Sequence, residues 1–286
     1  MEKLCLTAPQ RTHLGANIAP FSPPPELGLP IATERISARR RKISPPRTTP
    51  LQLDKVKKAK VAKPAGTLPE KDIFPVGSLL FWLPDYKTDW NQKVLVSTKQ
   101  LHEIDILNHV LRLLPEHSVV LDVGANIGNH SLFFRSQKKV DRVIAFEALP
   151  QLRKIIQTNI ELNGLQRKIN LKSFALSDKN EQLSIAAFNP KHAGSTTLKK
   201  DRNGTIGARK LDSLADELGI DRIDFVKIDV EGFESFVLAG ARETFEKFKP
   251  PYVQVEIHEV HPIEALRDQF PPAMPSGTHS RTWAMS

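Results

Sequence analysis

The run Val119-Val120-Leu121-Asp122-Val123-Gly124-Ala125-Asn126-Ile127-Gly128 carries the most chemically loaded spacing in the chain. An apolar stretch ends in an acid, and two glycines follow with three residues between them. The apolar residues predict a buried parallel strand, and the glycines predict a turn into a helix. Asp122 then stands at a carboxyl end, where open α/β sheets bind their ligands. Glycine lets backbone approach a ligand that a Cβ would hold off. The spacing is not G-x-G-x-x-G, the pyrophosphate-gripping pattern of dinucleotide enzymes. An acid beside these glycines suits a ligand that presents amines and hydroxyls, although G-x-x-x-G also occurs in ordinary βα turns.

Two further acidic positions extend this chemistry. Glu147 closes the predicted strand at residues 142–146, 23 residues after Gly124. A carboxylate there can accept two hydrogen bonds from a ribose diol. It can equally be a helix N-terminal acid ahead of Pro150, favoured by the macrodipole. Phe174 and Ala175 end the next predicted strand, either beside an adenine ring or in plain core. In Lys227-Ile228-Asp229-Val230-Glu231-Gly232-Phe233-Glu234, three acids directly follow a buried strand. Lys227, between Val226 and Ile228, is costly to bury unless its ammonium is paired, and Asp229 or Glu231 is the expected partner. Acid enrichment at a helix N-terminus accounts for Glu231 and Glu234, and less well for Asp229. S-adenosylmethionine, with an α-amino group, a sulfonium and a ribose but no phosphate, fits such a set.

The elements that must position these residues follow from periodicity. Short strands are expected between residues 79 and 96, with turns at Pro84-Asp85 and Asp89. A helix is expected over 102–114, stopped by Pro115, and core strands over 119–123 and 142–146. Helices are expected over 129–136 and from Pro150 to about residue 163, the latter closed by Gly164 as a left-handed cap. Strands follow at 169–174 and 182–188, then a polar loop at 191–207 and a helix at 210–218. A short buried strand at 224–228, one helix at 234–248 and a strand at 252–257 complete the pattern. This alternation implies a parallel sheet with helices on both faces.

The net charge of +9 resembles a nucleic-acid signal until it is divided along the chain. Residues 1–75 hold 14 Lys and Arg against 6 Asp and Glu, whereas residues 76–286 hold 27 against 26. The first 75 residues also hold 12 of the 22 prolines, so they are expected to be disordered. Their basic runs, Arg39-Arg40-Arg41-Lys42 and Lys55-Val56-Lys57-Lys58-Ala59-Lys60, suit a nuclear address, a polyanion or membrane-surface contact, an organelle transit segment or a solvated linker. Cys5 is the only cysteine, which excludes a disulfide framework and a thiolate-rich metal site. No apolar run approaches the roughly 18 residues of a membrane span. The expected location is cytoplasmic, or an organelle reached through the basic segment.

Taken together, Leu121-Asp122-Val123-Gly124-Ala125-Asn126-Ile127-Gly128, Phe146-Glu147-Ala148, Leu211-Asp212-Ser213-Leu214, and the segment from Lys227 to Glu234 with Leu238-Ala239-Gly240-Ala241 behind it resemble the FkbM family of S-adenosylmethionine-dependent methyltransferases. The resemblance covers about residues 95–260. It implies a class I methyltransferase fold, a doubly wound, mostly parallel α/β sheet, and transfer to a hydroxyl oxygen, often of a sugar or secondary metabolite. It implies that Asp122, Gly124, Ala125, Asn126 and Gly128 form the methionine-side loop and that Glu147 is the ribose acid. Ala148, Phe174 and Ala175 complete the cofactor set, and Asp229 falls beside the transferring methyl. Ala193-Gly194-Ser195-Thr196-Thr197 is similar to the family's small, hydroxyl-rich active-site loop.

The C-terminus departs from that pattern. A class I methyltransferase continues past its fifth strand with a helix and an antiparallel pair, strands 6 and 7. Here Pro271-Pro272-Ala273-Met274-Pro275-Ser276-Gly277 forms neither strand. The expectation is a truncated or misspliced chain in which residues 252–257 become an exposed apolar edge. The expected layout is a disordered tail at 1–75, a lead-in at 76–118, the methyltransferase domain at 119–260 and a disordered end at 261–286.

A base must take the acceptor's proton, and Asp229, Glu231 and His258 are the candidates at strand carboxyl ends. His258 is equally readable as a surface histidine beside Glu259 and His261. An analogy with catechol methyltransferases would place a divalent metal at Asp229 and Glu231. Two acids on one turn are weak evidence for it, and no metal is expected. The rival reading is a non-catalytic Rossmann-like binding protein whose basic tail contacts nucleic acid or anionic surfaces. A nicotinamide dehydrogenase fits Glu147 but lacks G-x-G-x-x-G.

Overall fold

The computed structural model describes residues 2–7 and 68–257. In chain order the elements are β1 (Glu2–Thr7), β2 (Ile73–Val76), β3 (Leu79–Trp82), α1 (Trp90–Thr98), α2 (Ile104–Leu113), β4 (Ser118–Val123) and α3 (Asn129–Ser136). Then come β5 (Val140–Phe146), α4 (Pro150–Leu162), β6 (Ile169–Lys172), β7 (Ala175–Leu176), β8 (Glu181–Ala187), β9 (Thr197–Lys200) and β10 (Ile206–Arg209). β11 (Phe225–Ile228), α5 (Glu234–Ala239), α6 (Arg242–Phe248) and β12 (Tyr252–Ile257) close the series.

The main sheet runs β1-β12-β11-β4-β5-β6, and all its neighbours are parallel except β1 on β12. Strand order reverses between β4 and β11, so their carboxyl ends splay around a crevice. One face is wholly apolar: Leu121, Val123, Ile144, Val226, Val253 and Val255 pack against Val237, Leu238 and Phe245. The opposite face packs Val120, Val143, Ala145 and Phe225 against Leu132, Phe134, Ile156 and Ile160. That second face carries a polar row, because Asp122, Lys227 and Gln254 sit side by side in register. All three are buried. The sheet is therefore two-faced at its ligand end.

Several expectations need correction. Residues 2–7 and 70–75 of the expected disordered tail form β1, a 3-10 turn and most of β2. The edge of β12, expected to lie bare, is paired antiparallel by β1 from Glu2↔Ile257 to Thr7↔Tyr252. Residues 90–98 form α1, with Asp89 capping it by accepting from Gln92 N at 3.0 Å, where strands were expected. The expected polar loop contains β9 and the start of β10, which pair with β7 and β8 in a four-stranded sheet. Thr197-Leu198-Lys199-Lys200 has little apolar alternation, and tertiary pairing decides its state. In place of the helix expected at 210–218, residues 212–219 are turns, with the Asp212 carboxylate accepting from Thr244 N and Oγ1 at 2.8 Å each. The expected helix over 234–248 breaks at Gly240, where a Cβ would overlap the Ser177 carbonyl oxygen. Residues 8–67 and 258–286, including both basic runs, His258 and the proline-rich end, lie outside the described residues.

The β1–β12 ladder covers a strand edge that would otherwise offer its backbone groups to another chain. Deleting residues 1–9 is expected to lower Tm by on the order of 5 °C, roughly 1–2 kcal/mol for a domain this size. It is also expected to make the protein self-associate in sedimentation velocity. A deleted chain with wild-type Tm and a monodisperse boundary would show that β1 contributes nothing.

Candidate active site

The glycine turn is built by backbone geometry. Gly124 has φ +79°, and both its N–H and that of Ala125 donate to the Phe146 carbonyl at 3.0 Å, which ties the loop to β5. A Cβ at Gly124 would overlap the Asp229 carbonyl oxygen, so the ends of β4 and β11 approach as closely as they do only because residue 124 is glycine. Asn126 takes the left-handed conformation at φ 52°, and its N–H donates to Glu147 Oε2 at 2.8 Å. The other Glu147 oxygen accepts from Leu149 N at 2.8 Å. Glu147 therefore ties the glycine loop to the start of α4. Burial pushes its carboxyl up to about 7, against the lowering effect of the Leu149 and Asn126 N–H groups and of the Lys227 charge.

Lys227 is the hub of the crevice. Its Nζ donates to the Gly124 carbonyl at 2.8 Å and lies 3.2 Å from Asp229 Oδ2 and 3.6 Å from Asp122 Oδ1. Burial pulls the ammonium's pKa down, yet the fields of Asp229 and Asp122 push it above the ordinary lysine value. The sequence pointed to Asp229 or Glu231 as its partner; the partners are Asp229 and Asp122. Asp122 also accepts from Ser131 Oγ at 2.6 Å, which fastens α3 to β4.

One cavity at this crevice is lined by Gly124, Ala125 and Asn126 from the loop, and by Glu147 and Ala148 after β5. Phe174, Ala175 and Asp229 line it as well. Eight of the ten cofactor positions expected from sequence thus converge. The other two do not line it. Asp122 stands one layer behind under Lys227, and Gly128 faces α3 and α4, where a Cβ would press on Leu132 and Ile156. Phe174 leans on Phe146 with ring centroids 6.0 Å apart, and the Arg209 guanidinium lies 5.4 Å from its ring centroid.

Of the expected bases, Asp229 and Glu231 line the cavity, and His258 lies outside the described residues. The turn that carries the two acids holds Glu231 at φ 54° and Gly232 at φ 92°. Buried Glu234 steadies it by accepting from Val230 N and Gly232 N at 3.2 and 3.1 Å.

The structure adds residues that the sequence reading passed over. Glu256, only 4% exposed, lines the same cavity, and oxygens of Asp229, Glu231 and Glu256 lie within 4.8 Å of one another. Oxygen sets of this spacing suit hard divalent cations, and acidic clusters of the kind are also common without one. The alternation Val253-Gln254-Val255-Glu256 was the available signal, since it puts two polar residues on one face of a buried strand. His130 Nε2 pairs with Glu103 Oε2 at 3.1 Å in the cavity wall. At the rim, the Trp90 ring contacts His192 and His102, with centroid distances of 5.2 and 5.7 Å.

A parallel sheet with its glycine turn, strand-end acids and cavity at one switch point is the arrangement of a Rossmann-like methyltransferase. The Methyltransferase FkbM domain matches residues 122–278, and the chain belongs to that family. It is 26% identical over 178 residues to the 2-O-methyltransferase NoeI of Sinorhizobium fredii, a match that takes in 54% of this chain and 71% of that one. It is 28% identical over 156 residues to the hexuronic acid methyltransferase AglP of Haloferax volcanii, across 54% of this chain and 62% of that one. Among solved structures it is similar to the methyltransferase FkbM of Methylobacillus flagellatus KT, with 23% identity and a TM-score of 0.32 over 47% of this chain and 31% of that one.

Proposed function

We propose that this chain transfers the methyl group of S-adenosylmethionine to a hydroxyl oxygen of a sugar, glycolipid or other small metabolite. The observation that carries this reading is the convergence of the glycine turn, Glu147 and Asp229 on one cavity at the β4–β11 switch point. The donor set fits the ligand. Lys227 is the only lysine or arginine among the described lining residues and is engaged by Asp122 and Asp229, so the cavity offers acceptors to amines and hydroxyls more than cations to phosphates. Two relatives act, by name, as a 2-O-methyltransferase and a hexuronic acid methyltransferase, which supports a hydroxyl-bearing acceptor.

Bound there, the donor supplies an electrophilic methyl on a positively charged sulfur. The loop from Gly124 to Asn126 would line the methionine end, Glu147 would accept from the ribose hydroxyls, and Phe174 with Ala148 and Ala175 would enclose the adenine. Asp229 and Glu231 orient the acceptor oxygen toward the methyl. One carboxylate of Asp229, Glu231 and Glu256 would take the acceptor's hydroxyl proton, and the donor would supply the methyl group. The rigid strand ends supply alignment, which accounts for much of the rate in such a displacement.

Because the ionised form of Glu147 is the better acceptor for two hydroxyls, donor-site affinity should depend on pH in a defined direction. Calorimetric titration with S-adenosylhomocysteine is expected to show affinity rising through about pH 7, where Glu147 ionises, and levelling above it. Proton release should accompany binding below that pH. In Glu147→Gln the inflection should vanish and affinity should fall roughly tenfold or more, the scale of one charge-assisted hydrogen bond. No saturable binding by folded wild-type protein removes the cofactor assignment. Binding without the pH inflection removes the role of Glu147.

A further inference from the structure

Four large apolar side chains stand exposed among the described residues: Trp90, Leu113, Ile185 and Phe188. Three of them belong to one corner of the fold. Trp90 N, at the start of α1, donates to the Lys191 carbonyl at 2.7 Å, and Asp89 Oδ2 accepts from Ala193 N at 2.9 Å. The start of α1 is thereby fastened to the segment that joins β8 to β9. A turn closed by His192 N on the Asn189 carbonyl at 3.0 Å carries Lys191 back beside Phe188.

The ladder between β8 and β9 decides where Ile185 and Phe188 point. Ile185 faces Leu198 and Ala187 faces Thr197, so β8 carries one residue in excess at Ala186. Side chains alternate along a strand, and residues 185 and 188 would ordinarily stand on opposite faces. The extra residue brings them to the same one. Cross-strand partners share a face, and Leu198, opposite Ile185, lines the cavity. Apolar surface therefore runs from the cavity outward along the hairpin. Every residue of Ile185-Ala186-Ala187-Phe188-Asn189-Pro190-Lys191 is exposed. A continuous exposed apolar patch of this kind marks a contact with a protein or a membrane.

The charges beside it choose between these. No Asp or Glu occurs from Ile185 to Lys200, and Lys191 closes the exposed run. On α1, exposed Lys93 follows Trp90 by one turn, while Asp89 is buried with its carboxylate engaged by Gln92 N and Ala193 N. Apolar and aromatic side chains among lysines suit the boundary of an anionic bilayer, where rings enter the acyl region and ammonium groups meet phosphate. The same chain carries the basic runs Arg39-Arg40-Arg41-Lys42 and Lys55-Val56-Lys57-Lys58-Ala59-Lys60. Stable attachment takes two signals, and an apolar wedge with a polybasic segment is such a pair.

We propose that the tip of the β8–β9 hairpin, with Trp90 beside it, is a docking surface for a bilayer rich in anionic lipid, and that it holds the mouth of the cavity against that bilayer. Ile185 and Phe188 supply the insertion, and Lys191 and Lys93 the attraction. The proposal goes beyond the methyl-transfer reading and stands without it, because it concerns the surface beside the cavity.

The test follows cosedimentation of the full chain with unilamellar vesicles in about 0.15 M salt. Vesicles of phosphatidylcholine alone are compared with an equal mixture of phosphatidylcholine and phosphatidylglycerol. The wild type is expected on the mixed vesicles and not on phosphatidylcholine alone. The paired substitution Ile185→Ser/Phe188→Ser should weaken that binding roughly tenfold or more, and Lys191→Glu roughly threefold or more. These side chains are exposed, so Tm should move by less than about 3 °C in either variant. Docking should also shift Trp90 emission to the blue, measured as the difference between wild type and Trp90→Phe. Absence of wild-type binding to the mixed vesicles, or an unshifted Trp90 signal in bound protein, would overturn the proposal. Binding that the paired substitution leaves unchanged would overturn it too, and assign the attraction to the basic runs alone. Self-association without vesicles that the same substitution abolishes would replace the bilayer with a second copy of this chain.

Discussion

Replacing Gly124 with alanine is expected to abolish donor binding while leaving a folded, weakened protein. The backbone at residue 124 has φ +79°, which costs an L-residue about 1–2 kcal/mol. The added methyl would also collide with the Asp229 carbonyl oxygen, which belongs to backbone and cannot swing aside. Relief requires the ends of β4 and β11 to part. That movement breaks the Lys227–Gly124 hydrogen bond and lifts the loop from its two contacts with the Phe146 carbonyl. The expected result is at least a hundredfold loss of S-adenosylhomocysteine affinity, on the order of 3 kcal/mol. Gly232→Ala is the matched control. Residue 232 also has positive φ, at 92°, but open space where its Cβ would stand. It should carry the conformational penalty with less than fivefold change in affinity. Similar affinities for the two variants would show that the close approach at Gly124 has no part in binding.

The second large effect concerns Lys227. Its ammonium is buried between Asp122 and Asp229, and Asp122 Oδ1 has no hydrogen-bond partner of its own. Lys227→Met removes the positive charge and leaves a carboxylate that is 1% exposed facing an apolar side chain. Breaking one side of such a pair costs about 3–5 kcal/mol, whereas replacing both partners is far milder. Urea unfolding should therefore show a loss of that size for Lys227→Met, with at least half recovered in the double variant Asp122→Asn/Lys227→Met. Loss of less than about 1 kcal/mol in the single variant would mean that solvent, and not Lys227, balances Asp122. Donor affinity should stay low in the double variant even as stability returns, because Lys227 also fixes the Gly124 carbonyl.

The parts of this fold that were legible in the sequence are those where chemistry and periodicity agree. The strand into Asp122, the helix after Gly128 and the strand into Asp229 have apolar runs bounded by glycine or proline, and they fall within a residue or two of their expected limits. The segments misread are those decided by distant partners. β9 and β10 exist because β8 and β7 are there to pair with them. The break between α5 and α6 comes from the close approach of Gly240 to Ser177, some sixty residues earlier in the chain. Within the cavity, the residues found in advance carry an acid or glycine next to a strand end. Trp90, His192 and Glu256 were missed because each is unremarkable locally and gains its meaning from what lies across from it. Asp122 was legible as important, but its placement beneath Lys227 follows from register, which sequence alone leaves open.

The antiparallel strand at residues 2–7 ties folding to the order of synthesis. β1 leaves the ribosome some 250 residues ahead of its partner, residues 252–257. At typical elongation speeds of about 5–20 residues per second, the strand waits on the order of ten seconds to a minute for its place. The parallel strands can assemble in the meantime, and the sheet edge closes only when the two ends of the described chain meet. Closure itself adds little penalty, because loop entropy grows only with the logarithm of length. A bulky group fused just ahead of β1 should thus act late, on the final zipping of the edge, and show itself as newly made chains that are folded yet stick to one another.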